Sequence, residues 1–273
     1  MKTRLSLTLP LLLLLAACSG PQAPAPADPA PASEPASAAP AQPAAEAASE
    51  AVTPVEETAA ASAPAEAAEA AAPVAPQPPS GPAPVKGVDY VEIPNGKPFA
   101  PVAGKIEVAE VFGYTCPHCA QFDPVLSAWR KRQPADVQVT LVPAVFGGYW
   151  DPYARAFFTA EALGVVEKTH QATFAAIHLQ RSLPVHPKVG AEQLAPFYAQ
   201  YGVDAKRFTD TYNSFGTDAK LNRARQFAAG ARITGTPSLV VAGKYTINVD
   251  EGGFEKMLNT AEWLVAQERS AGK

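Results

Sequence analysis

Residues 105–119 read Lys-Ile-Glu-Val-Ala-Glu-Val-Phe-Gly-Tyr-Thr-Cys-Pro-His-Cys. Lys105–Tyr114 is rich in β-branched and aromatic residues, the composition of a core strand. Pro117 suits the first turn of a helix, where its missing N–H would have been unpaired anyway. The spacing predicts that this helix runs to Gln133, with a bend at Pro124. Val137–Val142 (VQVTLV) alternates apolar and polar residues and predicts a second core strand. Two cysteines separated by two residues therefore fall at a strand-to-helix junction inside a strand–helix–strand unit.

The chain has three cysteines, Cys18, Cys116 and Cys119. A C-x-x-C at such a junction reads as a redox pair, because unpaired N–H groups at a helix start favour the thiolate. Half of a zinc site is the first alternative. Structural zinc takes four ligands, and His170, His178 and His186 show no tight ligand spacing with the pair. An inert structural disulfide is the second, and closing so small a ring constrains the unfolded chain little. Redox chemistry is the stronger reading.

Outward from this unit, a short strand is expected between Gly87 and Ile93. Downstream come five helical patterns, Tyr149–Leu163, Val166–Gln180, Ala191–Tyr201, Ala205–Ser214 and Thr217–Ala231. Gly164, Pro184, Pro187, Gly202 and Gly216 punctuate them. Strand-like sequence returns at Ser238–Ala242, turns at Gly243-Lys244, and continues through Tyr245-Thr246-Ile247. Gly252–Glu268 predicts a closing amphipathic helix. The expected architecture is a thioredoxin-like α/β sheet interrupted by a helical insertion at about 149–231.

The N-terminal third has a different character. Lys2 and Arg4 precede an apolar run from Leu5 to Leu15, the layout of a secretory signal and too short for a spanning helix. Leu15-Ala16-Ala17-Cys18 resembles the bacterial lipobox, which predicts a signal peptide over residues 1–17 and lipidation of Cys18. An ordinary signal peptide cut nearby is the alternative. Ser19 after that cysteine points to the outer rather than the inner membrane. From Ser19 to Val85 there is no aromatic residue, and sixteen of the chain's 29 prolines lie there. Such a segment buries too little apolar surface to offset the entropy of ordering it, so residues 18–85 are expected to form a disordered tether. Fully extended it would reach on the order of 200 Å, and as a flexible coil about 45 Å.

That tether also carries the net charge. It holds eight acidic residues and no Lys or Arg, and the formal charge of the whole chain is −4. Residues 86–273 are left with twenty basic against eighteen acidic side chains, which gives no case for nucleic-acid binding.

The Cys116-Pro117-His118-Cys119 motif after an aromatic-rich strand resembles the DsbA family of bacterial thiol:disulfide interchange proteins. So do the Phe146-Gly147-Gly148 loop, Gly235-Thr236-Pro237, and the strand and turn ending in Gly243-Lys244-Tyr245. The resemblance spans nearly all of residues 86–273. It implies an enzyme that donates a Cys116–Cys119 disulfide to reduced, unfolded exported proteins and is reoxidised by a DsbB-like membrane protein. No metal or organic cofactor is implied, and the chain is expected to be a monomer in the periplasm, held at a membrane through Cys18.

Roles follow by the same resemblance. Cys116 is the exposed nucleophilic thiolate, Cys119 its buried partner, and His118 adds a hydrogen bond or positive charge beside the sulfur. Pro237 matches a cis-proline facing the cysteines. Glu110 matches an acid beneath the site that exchanges protons with Cys119. Pro117, Thr236, Phe146, Tyr149 and Trp150 are assigned to the substrate groove. Thr236 departs from the best-known pattern, which has Val there. Two competing functions remain at this level, a reductase or isomerase and a non-enzymatic CxxC chaperone for peptides or soft metals. Isomerases of this kind dimerise through a folded N-terminal domain, where this chain has the tether. Two methionines and no further cysteine speak against a metal carrier.

Overall fold

A computed structural model describes residues 75–76 and 78–272. The expected signal peptide, Cys18 and most of the expected tether lie outside the described residues.

The CxxC stands where β2 (Ile106–Phe112) gives way to α1 (Pro117–Lys131). β2 is an interior strand of a five-stranded sheet that also contains β1 (Val91–Glu92), β3 (Val137–Pro143), β4 (Ser238–Val241) and β5 (Tyr245–Asn248). The strand order is β1-β5-β4-β2-β3, with β3 parallel to β2 and the other pairings antiparallel. β2 reads as a nearly continuous apolar run because both of its faces are covered. On one face α1 and α7 (Gly253–Ala271) enclose Val108, Phe122, Trp129, Leu239, Ile247 and Leu264. On the other, Ala109, Val111 and Val240 pack into the core of the insertion.

The insertion comprises α2 (Asp151–Ala162), α3 (Val166–His178), α4 (Ala191–Ala199), α5 (Ala205–Tyr212) and α6 (Phe215–Gly230), all between β3 and β4. The thioredoxin-like sheet with a helical insertion is therefore the observed fold. α5 and α6 begin with side-chain caps, Asp204 accepting from the Arg207 N–H and Ser214 from that of Thr217, which satisfies donors that a helix start leaves free.

Two local expectations are corrected. α1 ends at Lys131 rather than Gln133, because Gln133 precedes Pro134 and is sterically pushed out of the helical region. The β4–β5 turn begins one residue earlier than expected, at Ala242, and runs through Gly243 and Lys244. Ala242 and Gly243 have positive φ, and Val241 pairs directly with Tyr245, so the turn takes three residues. Gly243 is doubly constrained, since any Cβ there would overlap the backbone of Lys97 and Pro98. The last residues assigned to the tether are placed against the domain, where Trp263 of α7 donates to the Ser80 carbonyl at 3.2 Å.

Candidate active site: a dithiol at a helix start

Cys116 occupies the N-cap position of α1, followed by Pro117 at the first helical position. Its backbone N–H donates to the Gly113 carbonyl, and its carbonyl accepts from the Ala120 N–H, so the turn into the helix is closed on both sides. Cys116 and Cys119 are both free thiols. Cys119 is fully buried and Cys116, expected to be exposed, is also buried, with 8% of its surface accessible, while Pro117 and His118 are exposed. Cys116 is covered because Thr236 packs across its sulfur, which is 3.4 Å from the Thr236 carbonyl.

The electrostatics separate the two sulfurs. The thiol of Cys119, acting as donor, is the largest influence on Cys116 and brings its pKa down to about 5 against the opposing effect of burial. Thr236 and the main-chain N–H groups of Cys119 and His118 act in the same direction. Those N–H groups belong to the first helical turn and have no intrahelical acceptor. Burial drives Cys119 the other way, far above the ordinary thiol value, with donation to Cys116 and the charge of Glu110 adding to it. Cys116 is a thiolate at neutral pH and Cys119 keeps its proton.

Thr236 and Pro237 lie across from the pair. Their peptide bond is cis, and the Cys116 sulfur lies 3.4 Å from the Thr236 carbonyl oxygen, to which it donates in its thiol form. The hydroxyl of Thr236 is buried without a partner. Of the three aromatic residues assigned to the groove, Phe146 and Tyr149 are exposed and Trp150 is half-buried, its ring within 6 Å of both. Trp150 lies directly over the backbone of Gly113, where a Cβ would overlap its ring. Gly113 therefore lets the aromatic loop approach the residue that hydrogen-bonds Cys116.

Two glutamates on β2 are buried, and they differ. Glu107 accepts hydrogen bonds from the Phe99 and Ala100 N–H groups and the Thr140 hydroxyl, 2.6–2.8 Å away. It is a structural anchor. Glu110 has an Oε2 without any partner. Burial, then the charges of Asp123 and Cys116, push its pKa well up, which favours its protonated form. A carboxyl whose folded pKa is raised costs stability once the unfolded chain can ionise, and the cost grows as pH rises through and above the ordinary value of 4.5. Glu110→Gln is accordingly expected to stabilise the protein at neutral pH but not at pH 4. Urea unfolding at the two pH values measures this, and equal effects at both would contradict a buried neutral acid.

Three residues near the pair were not singled out from the sequence. Asp123 is one helical turn beyond Cys119 and shares its face of α1, a spacing that was legible. Tyr114 is held by α3 from two sides, its hydroxyl 2.8 Å from Nδ1 of His170 and its carbonyl 2.7 Å from Nε2 of His178. His170, Phe174 and His178 recur every four residues and so form one stripe on α3. The two histidines enter the sequence reading only as candidate zinc ligands. Among the described residues no group of three or more His, Cys, Asp or Glu side chains could hold a metal ion.

A thioredoxin-like sheet with an activated cysteine at the start of its first long helix defines a thiol–disulfide redox protein. A thioredoxin family model matches residues 92–260. The thiol:disulfide interchange protein DsbA of Pseudomonas aeruginosa is 40% identical over 188 residues, covering 68% of this chain and 87% of that protein. DsbA of Azotobacter vinelandii is 43% identical over 192 residues, covering 70% and 87%. The crystal structure of the oxidoreductase DsbA from Xylella fastidiosa matches with 52% identity and a TM-score of 0.66, covering 68% of this chain and 98% of that one. The chain belongs to the DsbA family of thiol:disulfide oxidoreductases.

Proposed function

We propose that the protein oxidises reduced exported proteins by donating the Cys116–Cys119 disulfide. The observation that carries this reading is the opposed charge state of the two sulfurs. A substrate thiolate attacks the Cys116 sulfur, forming a mixed disulfide. The Cys116–Cys119 bond breaks, and its electron pair goes to Cys119, which takes up a proton. A second substrate thiolate then attacks the substrate sulfur of the mixed disulfide, and Cys116 leaves as a stabilised thiolate. Substrate loses two electrons and two protons; the enzyme keeps one proton on Cys119 and the other goes to solvent. Glu110, a neutral acid beneath the pair, is the group we assign to supply the Cys119 proton. The imidazole of His118, exposed beside Cys116, adds to the field favouring the thiolate.

Whatever stabilises the Cys116 thiolate stabilises the reduced enzyme and makes its disulfide a stronger oxidant. Thr236 and Pro237 offer backbone to an extended substrate segment in the manner of β-strand addition, flanked by Phe146, Tyr149 and Trp150. The test combines equilibration with glutathione buffers and oxidation of a reduced, unfolded secreted protein. A potential clearly above that of thioredoxin, about −270 mV, with net disulfide formation in the substrate, is expected. A thioredoxin-like potential would instead make the protein a reductase.

The assignment extends to place and partners: a monomer in the periplasm, lipid-anchored through Cys18 at the outer membrane, reoxidised by a DsbB-like membrane protein. The lipobox-like Leu15–Cys18 supports the anchor. Cys18→Ser is expected to move the protein from the membrane to the soluble fraction while leaving disulfide donation by residues 86–273 within about twofold of normal, since surface changes far from a site rarely matter. Membrane fractionation and an oxidation assay on the same preparation read both halves. Unchanged membrane association would refute lipidation.

A further inference from the structure

Residues Gly113–Cys116 form the turn that carries β2 into α1, closed by the Cys116 N–H donating to the Gly113 carbonyl at 3.0 Å. A bond of this kind leaves the central peptide of the turn, here the Tyr114 carbonyl with the Thr115 N–H, outside the closed ring. That peptide can flip or tilt unless something else holds it. Thr115 opposes the flip, because the flipped turn needs positive φ at that residue, which a β-branched side chain resists and Thr115 does not adopt. Tilting is opposed from a different element. The Tyr114 carbonyl lies 2.7 Å from Nε2 of His178, the last residue of α3. A carbonyl only accepts, so Nε2 carries the hydrogen, and in the neutral ring Nδ1 is the bare nitrogen.

The imidazole is itself braced. It stacks on Phe174 one turn back, with centroids 6.3 Å apart and planes 29° from parallel. A further turn back, Nδ1 of His170 lies 2.8 Å from the Tyr114 hydroxyl. α3 therefore grips Tyr114 by its side chain and by its backbone, two residues before the nucleophile. On the other side of the turn the Trp150 ring lies against Gly113. The path of the chain into Cys116 is thus set by α3 and by the aromatic loop together.

We infer that His178 is a positioning residue for Cys116: its Nε2–H holds the central peptide of the turn, and so keeps the Cys116 sulfur over the first N–H groups of α1 when the pair is reduced. This rests on the reading of Cys116 as the nucleophile. The two redox forms need that restraint unequally. In the disulfide, the bond to Cys119 fixes the Cys116 sulfur whatever the turn does. In the dithiol that link is gone, and the sulfur keeps its place only through its own backbone, whose approach the turn sets. The His118 and Cys119 N–H groups and the Cys119 thiol then meet the sulfur where they can donate to it. A bond that served packing alone would steady both forms alike. This one favours the form in which the thiolate exists, and so adds to the oxidising strength of the disulfide.

The test compares two variants of the full chain: His178→Leu, which has no donor, and His178→Gln, whose amide nitrogen can replace Nε2 without any charge. In His178→Leu the Cys116 pKa, read from the ultraviolet absorbance of the thiolate, is expected to rise by about one unit. The equilibrium with glutathione at neutral pH should shift about tenfold toward the disulfide, as loss of thiolate stabilisation requires. His178→Gln should recover most of both changes. A folded His178→Leu protein with wild-type pKa and equilibrium overturns the inference, and so does a Gln variant no closer to wild type than the Leu variant. The unmodified protein supplies a check that needs no variant to fold. Long-range ¹H–¹⁵N spectra of the dithiol form should place the hydrogen of neutral His178 on Nε2, and a hydrogen on Nδ1 overturns the inference as well. A wild-type protein that fails to oxidise substrate proteins sinks the oxidase reading, but a raised Cys116 pKa in His178→Leu still supports this inference, so the two failures are distinguishable.

Discussion

Reduced protein is expected to withstand more urea than oxidised protein at neutral pH, and to lose that advantage by pH 5. The Cys116 pKa falls from an ordinary 9.0 to about 5 on folding. A depressed folded pKa contributes stability that is complete above the unfolded value and is lost as pH falls through the folded one. At neutral pH about half of the interval is realised, roughly 2–3 kcal/mol, with solvent screening at the surface end of the helix favouring the lower figure. The disulfide form has no thiolate and gains none of this. Its own advantage is ring closure in the unfolded chain, at most about 2 kcal/mol for so short a loop. The dithiol form should therefore lead at neutral pH, and its lead should widen toward pH 9. Beyond that the sign reverses for Cys119, whose raised pKa costs stability once the unfolded thiol can ionise, so the gap should peak near pH 9. His118→Ala should narrow the gap and raise the Cys116 pKa together, because one interaction underlies both. Paired urea curves at pH 5, 7 and 9, with and without reductant, measure all of this. A disulfide form that is more stable throughout, or a gap that does not change with pH, would rule out thiolate stabilisation as the source of oxidising power.

Substitution of either cysteine should end turnover, with opposite consequences for trapped species. Cys116→Ser removes the sulfur that substrate attacks, and the remaining Cys119 is buried and protonated, so disulfide donation should fall by at least about a thousandfold, the scale for loss of a nucleophile. Cys119→Ser leaves an activated thiolate at the surface end of α1 and removes the one thiol able to resolve an adduct from within. Mixed disulfides should accumulate through Cys116 in that variant and be nearly absent in Cys116→Ser. Non-reducing electrophoresis followed by peptide mapping reads the attachment site. Adducts mapped to Cys119 in the unmodified protein would exchange the two roles.

Much of the architecture was readable because its signals are local. Strand periodicity, Pro117 at a helix start, the gap of two residues between cysteines and the return of β sequence at Ser238 each depend on neighbours in the chain. The exact β4–β5 turn was missed because Ala242 adopts positive φ, which residue type does not announce. The end of α1 was set two residues early by Pro134, a local signal that was overlooked.

The site divides along the same line. The chain by itself determined which sulfurs form the pair, that they meet a helix start, and that Glu110 sits on the strand leading to them. Only the tertiary structure decided that Cys119 has no exposed surface while the Cys116 pKa is held low, because Thr236, 120 residues away, acts on Cys116 together with the motif. Only it could distinguish Glu107 from Glu110, two identical side chains on one strand. The first meets donors from the loop just before β2 and from Thr140 on β3, and the second has a buried oxygen that meets none, since successive strand positions alternate faces and each face has its own partners. The contact of His170 with Asp123 belongs to the same class: neither residue is unusual in its own helix, and the packing of α3 against α1 alone places an imidazole against a buried acid.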